Sequence, residues 1–175
     1  IRLSLVGSEM CIRDRILSHA VGTGPEFSPE FVRASILIRS NTLAGGYSGI
    51  RPELIQNLLE MLNRDVIPEI PSQGSLGSSG DLAPLSHLAL VLTTDQDDRE
   101  EDSGYAVYKG ERVSGKQAMA AAGIPRLILK AKEGLALTNG ATFSAALAAL
   151  NISLADTLVH TAEVALAASL EALLG

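Results

Sequence analysis

Gly74-Ser75-Leu76-Gly77-Ser78-Ser79-Gly80-Asp81-Leu82-Ala83-Pro84-Leu85-Ser86-His87 is the stretch on which the reading of this 175-residue chain turns. Four small residues, Gly77 to Gly80, stand together, followed by one acid and an apolar run with helical character. The simplest reading is a flexible linker with Asp81 as a helix N-cap. A phosphate-cradling loop is a second reading. It fails the P-loop pattern, because no Gly-Lys-Ser/Thr follows and Asp81 repels a phosphate. Self-cyclisation is a third. The amide nitrogen of Gly80 is unhindered, and glycine tolerates the backbone angles of a tight turn. That nitrogen can therefore reach the carbonyl carbon of Ser78. Ring closure with loss of water gives an imidazolone, and loss of the Ser79 hydroxyl as a second water leaves an exocyclic methylene. The product, a methylidene-imidazolone, is a strong electrophile built without an added cofactor. Spacing alone does not decide between the linker and the self-cyclising loop.

Outward from this loop the pattern is helical. Ile16 to Ala20 reads as a helix end, followed by a turn at Gly22-Thr23-Gly24-Pro25. Ser28 before Pro29 and Glu30 marks a helix start, and that helix runs to about Leu43, where Gly45-Gly46 stops it. Its face is expected to be Phe31, Ala34, Ser35, Ile38 and Thr42, widened by Val32, Ile36 and Leu43. A second helix begins near Pro52, carries Leu54, Ile55, Leu58, Leu59 and Leu62, and ends before Pro68. Leu82 to Leu92 is a third, with Pro84 in its first turn. Tyr105 to Tyr108 and Glu111 to Val113 flank Lys109-Gly110 as a small hairpin. Ser114 with Gln117 fits a capping box for a helix that ends at Gly123. Lys130 to Thr138 is helical up to Asn139-Gly140. Ala141 to Leu174 is then a long, almost wholly apolar helix or broken pair, which must be covered on most sides. This chain is too short to wrap it, so a larger bundle or a subunit interface is expected around it. The fold class is all-α: a helical bundle with long buried helices and one small β-hairpin.

Composition narrows the partners. The net charge of −6 is concentrated between Asp95 and Asp102, and there is no basic patch for nucleic acid. The acidic run lacks EF-hand spacing and reads as a solvated loop. Asn151, Asp156, His160 and Glu163 interrupt the apolar C-terminal stretch, so no membrane span is expected. The single Cys11 excludes an internal disulfide framework and fits a reducing, cytoplasmic compartment. Three dispersed His residues without Cys partners make no zinc site, and no metal is expected.

The surroundings of the loop favour the third reading. Gly74 to His87 closely resembles the signature of the histidine ammonia-lyase family, which includes phenylalanine and tyrosine ammonia-lyases and aminomutases. Ser40 to Pro52 and Ala131 to Gly140 resemble further segments of that family, and Ser169 to Gly175 looks like the start of its core helix. The tripeptide there is usually Ala-Ser-Gly. Ser78 departs mildly, since only its backbone carbonyl enters the ring. The resemblance implies a fumarase/aspartase-like helical fold and a methylidene-imidazolone formed from Ser78-Ser79-Gly80, with Ser79 as the dehydroalanine carbon. It further implies that this group takes up the amine of an amino acid, so that removal of a β-proton expels ammonia.

Other roles are carried over position by position. Asn139 matches the family's active-site Asn, beside its alternative role as a helix stop. His19, in Ser18-His19, matches the position that selects the substrate side chain and resembles histidine-specific members and some tyrosine aminomutases. An imidazole there suits a polar ring and is left unpaired against a phenyl group. L-histidine, giving trans-urocanate, is therefore the expected substrate. Leu82 is expected to pack on the substrate ring, and His87 and His160 read as structural. The family's catalytic Tyr and carboxylate-binding Arg have no counterpart in this chain, and its sites combine residues from several subunits of a homotetramer. The chain alone is expected to be inactive. A tyrosine or phenylalanine lyase or aminomutase is the alternative within the family, and a non-catalytic helical assembly module the alternative outside it.

Leu5 to Arg15 reads LVGSEMCIRDR, and the DNA that encodes this string resembles a common sequencing-library adapter. Residues 1–15 are therefore expected to be a translated scar outside the fold, with a partial lyase domain over 16–175.

Overall fold

A computed structural model describes residues 9–75 and 80–175, the side chains of residues 9–12 apart. Seven α-helices stand among the described residues: α1 (Glu9–His19), α2 (Pro29–Ala44), α3 (Pro52–Asn63), α4 (Leu82–Leu92), α5 (Gly115–Ala121), α6 (Glu133–Thr138) and α7 (Thr142–Ala172). Between them lie short strands: β1 (Thr23–Glu26), β2 (Ile67–Pro68), β3 (Pro71–Gln73), β4 (Thr93–Thr94), β5 (Tyr105–Tyr108), β6 (Glu111–Ser114) and β7 (Leu127–Ile128).

Helix α4 is the hub. Ala83, Leu85, Leu88, Ala89, Leu90, Val91 and Leu92 are all buried, so it is apolar all round and must be enclosed. Helices α1, α3, α5, α6 and α7 pack against it. Each fully buried Leu in this hub contributes about 1.5–3 kcal/mol relative to an exposed one. Met61, Ile70, Leu58 and Met119 extend the same core.

Helix α2 starts as its sequence dictates, with the Ser28 hydroxyl accepting the Phe31 N–H at 3.4 Å. Its buried face is rotated from the expected one. Val32, Ile36, Arg39 and Leu43 are enclosed together with Phe31, Ser35 and Ser40, whereas Thr42 is exposed and Ala34 and Ile38 only half-buried. The rotation places an arginine in the core.

The hairpin forms as read, with Tyr108 opposite Glu111 and Tyr105 opposite Ser114. Lys109 (φ 52°) and Gly110 (φ 82°) both take the left-handed angles that a two-residue hairpin turn requires. Strand β2 adds to it in antiparallel order β2-β5-β6. The other pairings are new. The expected turn at Gly22 to Pro25 is instead strand β1, antiparallel to β3, and β4 runs parallel to β7. Segments of two to four residues are too short to show a period-two pattern, and Pro25, Pro68 and Pro71 hide their extended character as turn signals. Ser114 caps α5 by accepting the Gln117 N–H at 3.2 Å, but the Gln117 side chain turns away to Glu100 at 2.6 Å.

The long apolar helix is present, and as expected this chain is too short to wrap it. Helix α7 is continuous over 31 residues, but only Thr142, Phe143 and Ala146 are buried. Ile152, Leu154, Leu158, Val164 and Leu166 are each more than 60% exposed. It is long and apolar enough to cross a membrane by length and composition. Its apolar surface has no cover among the described residues, because the helix extends past α2 and α4 into open space.

Helix α1 runs across the expected boundary at Ile16. Arg13 is 4% exposed and donates to the Thr93 carbonyl (3.1 Å), the Thr93 hydroxyl (2.7 Å) and the Asp102 carbonyl. Burial first, then the charge of Arg126, lowers its pKa to about 10. The acidic loop is not simply solvated. Asp98 pairs with Arg126 (2.5 Å) and Lys116 (3.0 Å), and Asp95 accepts the amides of Asp97 and Asp98. Arg126 in turn donates to the carbonyls of Leu90 and Val91, which have no helical partner at the end of α4, and shares the Thr93 carbonyl with Arg13.

Candidate active site

Gly80 sits at φ 105°, in the region open to glycine. A Cβ there would lie 2.6 Å from the carbonyl carbon and oxygen of Gly140 and 2.7 Å from its nitrogen. Two glycine backbones thus touch, one from the loop before α4 and one from the turn between α6 and α7. Directly after it, the Asp81 N–H donates to the Gly140 carbonyl at 2.9 Å.

Asp81 locks this junction. It is 1% exposed, and its carboxylate accepts four hydrogen bonds. They come from the Phe143 N–H (2.7 Å), the Ser144 N–H (3.0 Å), the Ser144 hydroxyl (3.0 Å) and the Ser75 hydroxyl (2.8 Å). The sequence placed Asp81 as the cap of α4, but its side chain makes no such bond there. It caps α7 instead, where the first-turn amides have no helical partner. A carboxylate whose oxygens are so engaged is an anchor for the loop.

The turn that meets Gly80 is held from both ends of α6. At the start, Glu133 is 2% exposed and pairs with Arg51 through both oxygens (2.6 and 2.8 Å) while accepting the amides of Arg51 and Lys130. Burial raises the Glu133 pKa, but the Arg51 and backbone hydrogen bonds outweigh it and leave the group below its ordinary value. At the end, Arg39 donates to the carbonyls of Asn139 (2.8 Å) and Ala136 and to the Thr142 hydroxyl (3.4 Å). Burial lowers its pKa to about 10. Sequence reasoning missed Arg39. Its neighbours Ile36 and Leu43 mark a core face, yet no local pattern shows that α2 turns a charge inward.

Of the expected site residues, Gly80 and the Asn139-Gly140 turn are brought together. Asn139 ends α6, with its N–H on the Leu135 carbonyl (3.0 Å) and its side chain exposed. Leu82 is half-buried at the first position of α4. His19 ends α1, half-buried, with Nδ1 at 2.7 Å from the Arg15 carbonyl and 3.1 Å from the Ser18 hydroxyl. Ser78 and Ser79 lie outside the described residues. His87 is structural as read: its Nε2 accepts the Gly22 N–H at 3.1 Å, and burial lowers its pKa. A cavity of about 140 Å3 opens beside Asp81. Its floor is Phe27, Phe31 and Phe143, with ring centroids 4.4–5.7 Å apart.

Residues 7–175 match the family described as aromatic amino acid lyase. The chain belongs to that family. Among curated relatives it is 49% identical over 165 residues to the histidine ammonia-lyase of Alkaliphilus metalliredigens, covering 94% of this chain and 31% of that one. It is also 49% identical over 167 residues to that of Gloeobacter violaceus, with 95% and 31% covered. The chain thus spans about a third of the length of these aromatic amino acid lyase relatives. Among solved structures, the phenylalanine aminomutase of Pantoea agglomerans superposes with a TM-score of 0.79 at 35% identity, over 88% of this chain and 28% of that one. Histidine ammonia-lyase from Trypanosoma cruzi gives 0.69 at 36% identity, over 79% and 26%. The fold is that of the fumarase-like helical superfamily to which these lyases belong.

Proposed function

We propose that the full-length protein is a histidine ammonia-lyase, eliminating ammonia from L-histidine to give trans-urocanate. The observation that carries this is the 49% identity, across nearly the whole chain, to relatives named for that activity. Ser18-His19 supports the substrate. On this reading Ser78-Ser79-Gly80 forms a methylidene-imidazolone, which supplies an electrophile for the substrate's amine.

The residues in place fit such a group. A backbone nitrogen that must approach a carbonyl two residues back needs an unhindered residue in an unusual conformation, and Gly80 is both. The loop on its far side is anchored, because Asp81 ties it to Gly140 and to the start of α7. Anchoring lowers the entropy lost on cyclisation. Asn139 is held at the same junction by Arg39, beside Gly80, where an amide can bind the substrate amine. Leu82 contributes an apolar wall at the start of α4. His19 hydrogen-bonds the substrate imidazole. The protein acts as a soluble, cytoplasmic homotetramer, and the bare face of α7 is the surface that the rest of the bundle covers.

The test uses the gene re-extended to full length. L-histidine, L-tyrosine and L-phenylalanine are each supplied, and the arylacrylate product is followed by its absorbance. Urocanate from L-histidine alone supports the reading, and coumarate or cinnamate as the main product transfers the site to the tyrosine or phenylalanine branch. The 175-residue chain itself is proposed to be inactive, and urocanate release from it contradicts that. Residues 1–15 are proposed to be non-native. Adapter-free reads upstream of the Ile16 codon that still encode Arg13 overturn this.

A further inference from the structure

Arg39 is 2% exposed, and among the described residues its partners include no carboxylate. A buried guanidinium without a counter-charge is unfavourable unless its donors are used. Here they are used on one feature. Nη2 donates to the Ala136 and Asn139 carbonyls, which end α6 without helical partners, and Nη1 reaches the Thr142 hydroxyl in the first turn of α7. Nε is buried without a partner. The guanidinium therefore bridges the end of one helix and the start of the next, across Asn139 and Gly140.

Gly140 is sandwiched by this arrangement. A Cβ built on it would fall 2.5 Å from Arg39 Nη1, at a φ of 151°. On its other side its backbone meets Gly80. Arg39 thus stands directly behind the surface against which the tripeptide's glycine rests, and it also holds the carbonyl of Asn139.

We infer that Arg39 is a positioning residue, which sets the Asn139-Gly140 turn and through it the placement of Gly80 and of the Asn139 side chain. The hydrogen bonds of Arg39 among the described residues go to this turn and to the first turn of α7. The inference rests on the reading of Ser78-Ser79-Gly80 given above. A lysine at this position reaches fewer of the three acceptors, and a methionine reaches none.

The test compares Arg39→Lys and Arg39→Met with the unsubstituted full-length protein. Amide exchange at Asp81, whose N–H is bonded to Gly140, reports the junction, and exchange at Leu88 in α4 is the control. Turnover of L-histidine is normalised to the fraction of subunits whose tripeptide has lost two waters. In Arg39→Met, Asp81 exchange is expected to rise by about tenfold or more with Leu88 unchanged. Over the same change kcat per dehydrated subunit is expected to fall by about tenfold to a hundredfold with KM within about threefold. Arg39→Lys is expected to lie between, and it alone decides the matter if Arg39→Met does not fold. Unchanged exchange at Asp81, equal rises at Asp81 and Leu88, or an unchanged kcat each overturn the inference. If the unsubstituted protein shows no dehydration and no ammonia release, the functional reading fails, and the exchange comparison still decides the role of Arg39.

Discussion

Replacing Asp81 with alanine strands the start of α7. The buried Phe143 N–H loses its acceptor, which costs about 1–3 kcal/mol, and the partly buried Ser144 N–H loses the same partner at a smaller cost. The hydroxyls of Ser75 and Ser144 lose a charged acceptor as well, but both can rotate to other partners. These losses, which are the loss of the helix cap, amount to a local destabilisation of about 2–4 kcal/mol. Since about 1.4 kcal/mol is a factor of ten, exchange of the Phe143 and Ser144 amides in the full-length protein should accelerate by about 30-fold to 1,000-fold. Asp81→Asn keeps one oxygen able to accept both amides, and its amino group can donate to the two hydroxyls. Its effect should be about 1 kcal/mol, or less than about tenfold in exchange. Exchange in Asp81→Ala within about twofold of the unsubstituted protein would refute the reasoning, because it would mean that the carboxylate does not hold the helix start.

Gly80→Ala forces a methyl group into the Gly140 backbone at 2.6 Å, so peptide mass should show no dehydrated tripeptide. Ser78→Ala should leave the dehydration intact, since only the Ser78 carbonyl enters the ring, whereas Ser79→Ala should abolish the methylene. His87 has a lowered pKa because of burial, so the folded state binds its proton at lower pH than the unfolded chain. Its contribution is complete above about pH 6.5 and is lost as pH falls from there through the folded value. Melting temperatures of the full-length protein and of His87→Gln should therefore diverge most above that pH and converge below it, and parallel curves would contradict the assignment. Arg126→Ala uncaps α4 and leaves Asp98 with Lys116 as its remaining cation, costing about 2–4 kcal/mol, whereas Asp98→Asn on the half-exposed side of the pair should cost less than about 1 kcal/mol. Equal melting shifts would show that the ion pair, and not the carbonyl capping, matters.

Much of this was legible from local signals. Ser28-Pro29 and the apolar run after Asp81 locate α2 and α4 because caps and helical periodicity act within a few residues. Lys109-Gly110 locates the hairpin for the same reason. Asn139-Gly140 was legible as a helix stop, and it is the turn that meets Gly80. The pairings β1-β3 and β4-β7 were not, since each depends on a partner far along the chain and neither strand is long enough to carry a period. The true office of Asp81 was hidden similarly. Adjacent to α4, it reads as that helix's cap, but its acceptors face α7, which begins more than sixty residues later. Arg39 was hidden because an arginine among apolar positions is ordinarily solvated, and only the orphaned carbonyls of α6 make its burial reasonable. The acidic loop looked solvated because the cations that engage it, Lys116 and Arg126, lie beyond the hairpin.

The central claim is that Ser78-Ser79-Gly80 becomes an electrophile. The most direct test is the mass of the proteolytic peptide that spans these residues, taken from the folded full-length protein. A peptide lighter than its sequence by two waters, with the loss mapped to this tripeptide, is the predicted result. An unmodified mass in a correctly folded and assembled protein would contradict the account and return Gly77 to Gly80 to the role of a linker.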